Sequence, residues 1–236
     1  MSEDKKKTKG VADIVFLIDV TASMQPCIDA LRKNIESFID RIESNSQENP
    51  VRDWRGKVVG FRDYEVDDVP YIDNDFVTEA SLLKTQLSSL EAEGGGDEPE
   101  SLLEGIYNVA NMGQNDKAAQ EMSPLKWRYR SDAARVVIVF TDASFKDPMH
   151  TPAGGTIEDV KNACHANKII LNLFAPDMPC YDQLSAIDKC EWEAIECDDS
   201  STHAEALEQF TKDPAKFDKA MDALAASVSK SAVKEL

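Results

Sequence analysis

No stretch of this 236-residue chain approaches the roughly 20 apolar residues needed for a helix that spans a bilayer. The first ten residues, "MSEDKKKTKG", contain no apolar run of the kind a secretory signal carries, so export by that route is not expected. Cysteine is sparse and odd in number: Cys27, Cys164, Cys180, Cys190 and Cys197, with no C-x-x-C pair. That pattern argues against a disulfide framework and a zinc knuckle, and favours reduced thiols in a cytoplasmic protein. Positive charge is also short. Twenty-six lysines and arginines stand against 44 acidic residues, for a net charge of −18. Such a surface repels phosphate backbones and anionic lipid, so neither nucleic acid nor membrane is an expected partner. The basic exceptions, "DKKKTK" near the start and "KWRYR" at 126–130, are too short to reverse this.

What the chain does have is strand and helix in alternation. "ADIVFLID" (12–19), "ARVVIVFTD" (134–142) and "KIILNLFA" (168–175) are near-continuous apolar runs rich in β-branched residues, the mark of parallel strands covered on both faces. "GKVVGFRDY" (56–64) reads as a fourth strand, with a weaker partner at 71–79 and an edge strand at 191–197. Between them, Ile28, Leu31, Ile35, Phe38, Ile39 and Ile42 recur at three- and four-residue steps and predict a helix over 24–45. Further helices are predicted over 79–92, 99–112, 156–167 and 179–188, and a last one from about 204 that breaks at Pro214. This alternation predicts an α/β fold: a doubly wound, mostly parallel sheet of about six strands with helices on both faces. Residues 1–10 read as a flexible leader and 11–236 as a single domain. The irregular stretch 113–133 reads as an insertion within it.

In such sheets, ligands gather at the carboxyl ends of the strands. The first strand delivers Asp19, Thr21 and Ser23, and the strand ending "FTDAS" delivers Asp142. The loop "GGGDEPES" delivers Asp97 and Glu98 on a glycine-freed backbone. Hydroxyls and carboxylates from three loops make an all-oxygen donor set, suited to Mg²⁺, Mn²⁺ or Ca²⁺ rather than zinc or copper. In an extended loop, alternate side chains point the same way, so Asp19, Thr21 and Ser23 can face one ion. The same residues also fit plainer roles. Ser23 can cap the following helix, Asp142 can cap the next, and Asp97 can open a helix whose first turn holds Pro99. Asp63, at the end of "GFRD", reads either as a neighbour of the ligands or as a local hydrogen-bonding residue.

"DIVFLIDVTASM", "GGGDEPES" and "VVIVFTDAS", in that order, resemble the metal-ion-dependent adhesion site of a von Willebrand factor type A domain. The resemblance spans residues 11 to about 230. "GFRDYE", the glycine loop and a tryptophan ahead of "RVVIVFTDA" are similar to intracellular bacterial-type and α-kinase-associated members rather than to integrins. The resemblance implies a Rossmann-like fold and a metal held by the hydroxyls of Thr21 and Ser23, with Asp19 and Asp142 bound directly or through water. Asp97 stands where integrin-like domains place a threonine. A third acid there makes a divalent site formally about −1 and weakens its pull on an acidic ligand.

The expected function is therefore that of a non-enzymatic, divalent-metal-dependent protein-binding module, a scaffold or adaptor whose partner docks at the metal face. The resemblance implies an AAA+ ATPase, a kinase or a phosphatase as that partner. The enzymatic alternative is a Mg²⁺-dependent phosphatase or phosphotransferase of the haloacid dehalogenase type. That chemistry needs an acid two residues after Asp19, where this chain has Thr21, which holds no usable proton near neutral pH. A component with a purely structural metal is the third reading. No phosphate-cradling glycine loop and no G-x-S-x-G elbow is present.

Overall fold

The computed structural model describes residues 10–44, 51–96, 98–117, 119–198 and 200–232. Six strands form one sheet in the order β3-β2-β1-β4-β5-β6. They are β1 (Gly10–Asp19), β2 (Val51–Phe61), β3 (Tyr71–Asp73), β4 (Ala134–Phe140), β5 (Ile169–Pro176) and β6 (Cys190–Ile195). All neighbours are parallel except β3, which runs antiparallel on the β2 edge. The expected doubly wound α/β architecture is the one observed. Residues 1–9 of the expected leader lie outside the described residues, and Gly10 already belongs to β1.

Side-chain alternation along the central strands divides the core in two. Ile14, Phe16 and Ile18 of β1, with Val136, Ile138 and Phe140 of β4, face one side. There they meet α1 (Gln25–Ser44), α2 (Ala80–Ser88), α6 (His203–Lys212) and α7 (Pro214–Ala232). Val15, Leu17, Val137 and Val139 face the other, against α3 (Leu102–Asn111), α4 (Ile157–Asn167) and α5 (Cys180–Ser185). The stripe predicted on α1 is buried throughout, from Ile28 to Ile42, as a helix lying on an apolar sheet requires. The C-terminal helix does break where expected. Asp213, the residue before Pro214, is extended (φ −81°, ψ 104°), because a following proline disfavours the helical region. Among the described residues, no helix is long and apolar enough to cross a membrane.

One strand starts earlier than its pattern predicts. β2 begins at Val51 rather than Gly56, because the segment ahead of Gly56 carries Arg52, Asp53 and Arg55, and Arg55 points inward against the apolar alternation. Arg55 and Lys57 are buried. Arg55 pairs with Asp13 of β1 through two 2.8 Å bonds, and Lys57 pairs with Asp73 of β3. Both cations lie against the Phe76 ring, at 4.3 and 5.2 Å from its centroid. The weak strand predicted over 71–79 is only three residues long. The stretch 113–133 is irregular but anchored. Trp127 is fully buried and donates its indole N–H to the Val109 carbonyl (3.0 Å), and Asn115 Nδ2 donates to the Ser123, Lys126 and Trp127 carbonyls. All five cysteines are free thiols.

Candidate metal centre

Strand order reverses between β1 and β4, so their carboxyl ends open the crevice where α/β sheets bind ligands. The last residue of β1 is Asp19, and its side chain has no solvent exposure. Thr21 donates to Asp19 Oδ1 twice, from its backbone N–H (3.0 Å) and from its hydroxyl (2.7 Å). Thr141, just after β4, donates its hydroxyl to Oδ2 (2.8 Å). Burial, then the neighbouring Asp142, push the Asp19 carboxyl up to about 7. Asp142 is itself buried, bonds the Ser23 hydroxyl and is also raised, chiefly by burial.

Ser23 comes to Thr21 by a route different from the one its spacing predicts. Thr21 is extended, but Ala22–Met24 form a single 3-10 turn that leads directly into α1. The tight turn brings the two hydroxyls to 3.5 Å. Ser23 therefore sits within this turn and does not cap α1.

The glycine loop supplies the third wall. Gly94, Gly95 and Gly96 all have positive φ. Gly95 (φ +95°) is the demanding one: a Cβ there would lie 2.5 Å from Thr21 Cγ2 and 2.9 Å from Glu100 Oε1. Only a residue without a Cβ fits a left-handed backbone so close to both. Gly95→Ala is expected to cost about 1–3 kcal/mol and to displace Thr21, visible as a lower thermal midpoint. Midpoints equal to native would refute this packing argument.

Asp97 lies outside the described residues. Glu98 is exposed and its Oε1 accepts from the Ser144 N–H (2.6 Å), tying the glycine loop to the segment after β4. Asp63 is buried, with both carboxylate oxygens 2.8 Å from Lys146 Nζ. Lys146 also bonds Glu65 (2.7 Å), so this lysine is committed to acids beside the centre.

Three further contributors were not among the expected site residues. Thr141 orients Asp19, and its position beside Asp142 in "FTDAS" was a signal available in the sequence. Glu100 is buried at the lining of the same cleft, and burial first, then the charges of Asp19, Asp63, Asp67 and Asp142, push its carboxyl up to about 8. His203, at the start of α6, lines an open cleft of about 550 Å³ together with Thr21, Ser23, Glu98 and Asp142. His203 lies 61 residues beyond Asp142 and 182 beyond Thr21, and no local pattern links them.

Among the described residues, no three histidine, cysteine or acidic side chains are gathered closely enough to hold an ion by themselves. The donor set is mixed: the carboxylates of Asp19 and Asp142 with the hydroxyls of Thr21 and Ser23. These are hard oxygens of the kind that Mg²⁺ and Ca²⁺ take. Buried acids that raise one another's pKa, one of them with a carboxylate oxygen that has no partner among the described residues (Glu100 Oε2), fit a bound divalent cation.

A profile of the von Willebrand factor A domain family matches residues 13–153, more than half of the chain. The fold is similar to that of proximal thread matrix protein 1 from the mussel byssus in two crystal structures. At 14% identity, the TM-scores are 0.54 and 0.53, covering 96% of this chain and 48% or 47% of that one. It is also similar to the open conformation of the pilus adhesin SpaC from Lactobacillus rhamnosus GG, with a TM-score of 0.53 and 14% identity, over 97% of this chain and 31% of the adhesin. This chain thus spans less than half the length of these proteins, and likeness at such identity speaks to the fold. A comparison with curated proteins found no match. From the family match and the strand-end architecture together, this chain belongs to the von Willebrand factor A domain family.

Proposed function

We propose that this chain is a divalent-metal-dependent protein-binding module, acting as a scaffold or adaptor in a cytoplasmic complex. The observation that carries this reading is the oxygen set at the β1/β4 crevice: Asp19 buried with no cationic partner among the described residues, beside Asp142, Thr21 and Ser23. Mg²⁺ is the first candidate ion, with Mn²⁺ and Ca²⁺ behind it. Thr21, Ser23, Asp19 and Asp142 would hold it, and Asp97 and Glu98 stand in the loop beside them. A bound ion would supply a Lewis-acidic point on the face where a partner docks. Thr21 and Thr141 hold the Asp19 carboxylate in place for it, and the Gly94–Gly96 backbone lets the third loop approach. The architecture is that of the adhesin and byssus proteins above, and binding to another protein is the use the family resemblance favours. An AAA+ ATPase, a kinase or a phosphatase remains the expected class of partner.

The module is read as non-enzymatic. The residue two positions after Asp19 is Thr21, whose hydroxyl proton is already donated to Asp19, and the nearby Lys146 is held by Asp63 and Glu65. Neither is free for acid–base work on a phosphoryl group. Calorimetric titration with Mg²⁺ is expected to show one site in the native protein and at least a tenfold weaker one in Asp142→Asn. A native protein that binds none of Mg²⁺, Mn²⁺ and Ca²⁺ would overturn the metal-dependent reading. Mg²⁺-dependent hydrolysis of a generic phosphate ester, lost in Asp19→Asn, would overturn the non-enzymatic one.

A further inference from the structure

The sheet ends on an open edge. β6 pairs with β5 along its length, and among the described residues no strand lies beyond it. The Lys189 and Ile195 carbonyls accept from the N–H groups of Leu171 and Asp177, on the β5 side. Backbone direction alternates along a strand, so the N–H and C=O groups of Trp192 and Ala194 point outward, and Ala194 is exposed. Such an edge is a template for another chain.

Two features decide which chain it suits. The first is charge. Glu191, Glu193, Glu196 and Asp198 are all exposed. Ser227 of α7 donates its hydroxyl to Glu191 (3.2 Å), and Ile195 packs into the core on the same side, so Glu193 between them also faces α7. Pairing β6 with a second copy of itself would set these glutamates against each other, and opposed like charges destabilise a strand pair. The second feature is an open cleft of about 830 Å³ between β6, α6 and α7, with Ile195 and Phe210 among its walls. Four acids line it, Glu193, Glu196, Asp198 and Asp213, against two lysines, Lys216 and Lys219. A smaller cavity of about 100 Å³ shares Glu193, Ala220 and Ala223 with the cleft and is lined by Asn172 of β5. Asn172 is only 3% exposed and stands beside Glu191 in the ladder. Its Nδ2 has no hydrogen-bond partner among the described residues. A buried donor left unpaired is costly, and this one lines a cavity that adjoins the open cleft.

We propose that the outer edge of β6 and the cleft beside it bind an extended, basic segment of a protein partner by strand addition. The backbone of that segment pairs with Trp192 and Ala194. On the cleft side, its lysines or arginines meet Glu191 and Glu193, and a glutamine carbonyl accepts from Asn172 Nδ2. The surface uses none of the residues of the metal centre, so the proposal stands whether or not an ion binds there.

The test is fluorescence anisotropy with a labelled peptide, Lys-Val-Lys-Val-Gln-Val-Lys, in chelator and in Mg²⁺ at physiological salt. The native protein is expected to bind it equally in both. The same peptide with every amide N-methylated keeps its charges but has no backbone donors, and is expected to bind about tenfold more weakly. Ala194→Pro removes an outward N–H where an edge strand tolerates proline, and is expected to cost about tenfold in affinity. Glu193→Lys alters an exposed side chain and serves if the proline variant does not fold; it too is expected to weaken binding about tenfold. Glu121→Lys makes the same change in net charge within the 113–133 stretch and is expected to bind as the native protein does. Asn172→Leu is expected to cost about fivefold, and full affinity there would overturn the role given to the glutamine. Equal binding of the N-methylated peptide, or equal losses in Glu121→Lys and Glu193→Lys, would reduce the effect to general attraction by an acidic surface and overturn the proposal. Binding only in Mg²⁺ would move the peptide to the metal face and overturn it as well. A native protein that ignores the peptide and forms a dimer lost in Ala194→Pro would make a second copy the occupant, against the proposal.

Discussion

Asp19→Asn is expected to abolish stabilisation by Mg²⁺ while leaving the metal-free protein as stable as the native one, or more stable. The two halves of this result have one cause. Asp19 is fully buried, and the groups nearest its carboxylate are hydroxyls, an amide and another acid, Asp142. Without a cation, burying that charge is a cost to folding. Asparagine keeps the shape and removes the charge. Its carbonyl can still accept from Thr21, and its amide can donate to the Thr141 hydroxyl, which turns to accept. With the ion present the balance reverses. At a free Mg²⁺ concentration of about 100 times the dissociation constant, a ligand specific to the folded state adds about 2.7 kcal/mol. The variant should gain none of it. Urea unfolding in chelator and in Mg²⁺, for both proteins, measures all four values. A variant equally destabilised in both conditions would mean that Asp19 serves only the fold, and an undiminished Mg²⁺ effect would remove it from the metal centre.

Arg55→Met is expected to cost about 3–5 kcal/mol, because it strands a buried charge. Asp13 and Arg55 are paired in register on β1 and β2. Asp13 is fully buried and Arg55 is 4% exposed. The guanidinium meets both Asp13 oxygens at 2.8 Å and also donates to the Lys126 carbonyl (2.6 Å). Without it, Asp13 keeps the Arg128 N–H at 2.6 Å and the more distant Arg128 guanidinium at 3.5 Å. That leaves one side of a buried carboxylate facing methionine. The Lys126 carbonyl also loses the shorter of its two hydrogen bonds and keeps the one from Asn115 Nδ2 (3.2 Å), which loosens the anchor of the 113–133 stretch. Removing both charges, in Asp13→Leu with Arg55→Met, is expected to recover much of the loss, since an apolar pair can replace a buried ion pair at little cost. Denaturant midpoints for the two single variants and the double variant give the coupling directly. A loss under about 1 kcal/mol in Arg55→Met would contradict this account.

These two sites, at opposite ends of β1, mark how far local pattern reaches. Asp19, Thr21 and Ser23 were legible because they follow a strand whose apolar run is unbroken, and a strand end in an α/β sheet is a place with a known use. Asp142 was legible for the same reason at β4. Arg55 worked the other way. As a charged residue inside the core it helped hide the first half of β2, since periodicity assigns charge to solvent and cannot foresee a partner on a neighbouring strand. Ser23 shows a subtler limit. Its spacing brought it to the right place, but a 3-10 turn, not an extended loop, did the positioning.

The sequence by itself determined the alternation of strands and helices, the two-sided core and the ring of oxygen side chains at the strand ends. Those follow from short-range rules: apolar periodicity, turn chemistry and the poor fit of a hydroxyl or carboxylate to a buried strand interior. Only the tertiary structure decided which acids look inward. Glu98 and Glu100 are two residues apart in one acidic loop, and composition treats them alike. Both line the cleft, but the bridge between Glu100 and the segment after Asp142 goes with a buried Glu100, while Glu98 stays exposed. That choice depends on hydrogen bonds between segments more than 40 residues apart, which no local pattern encodes.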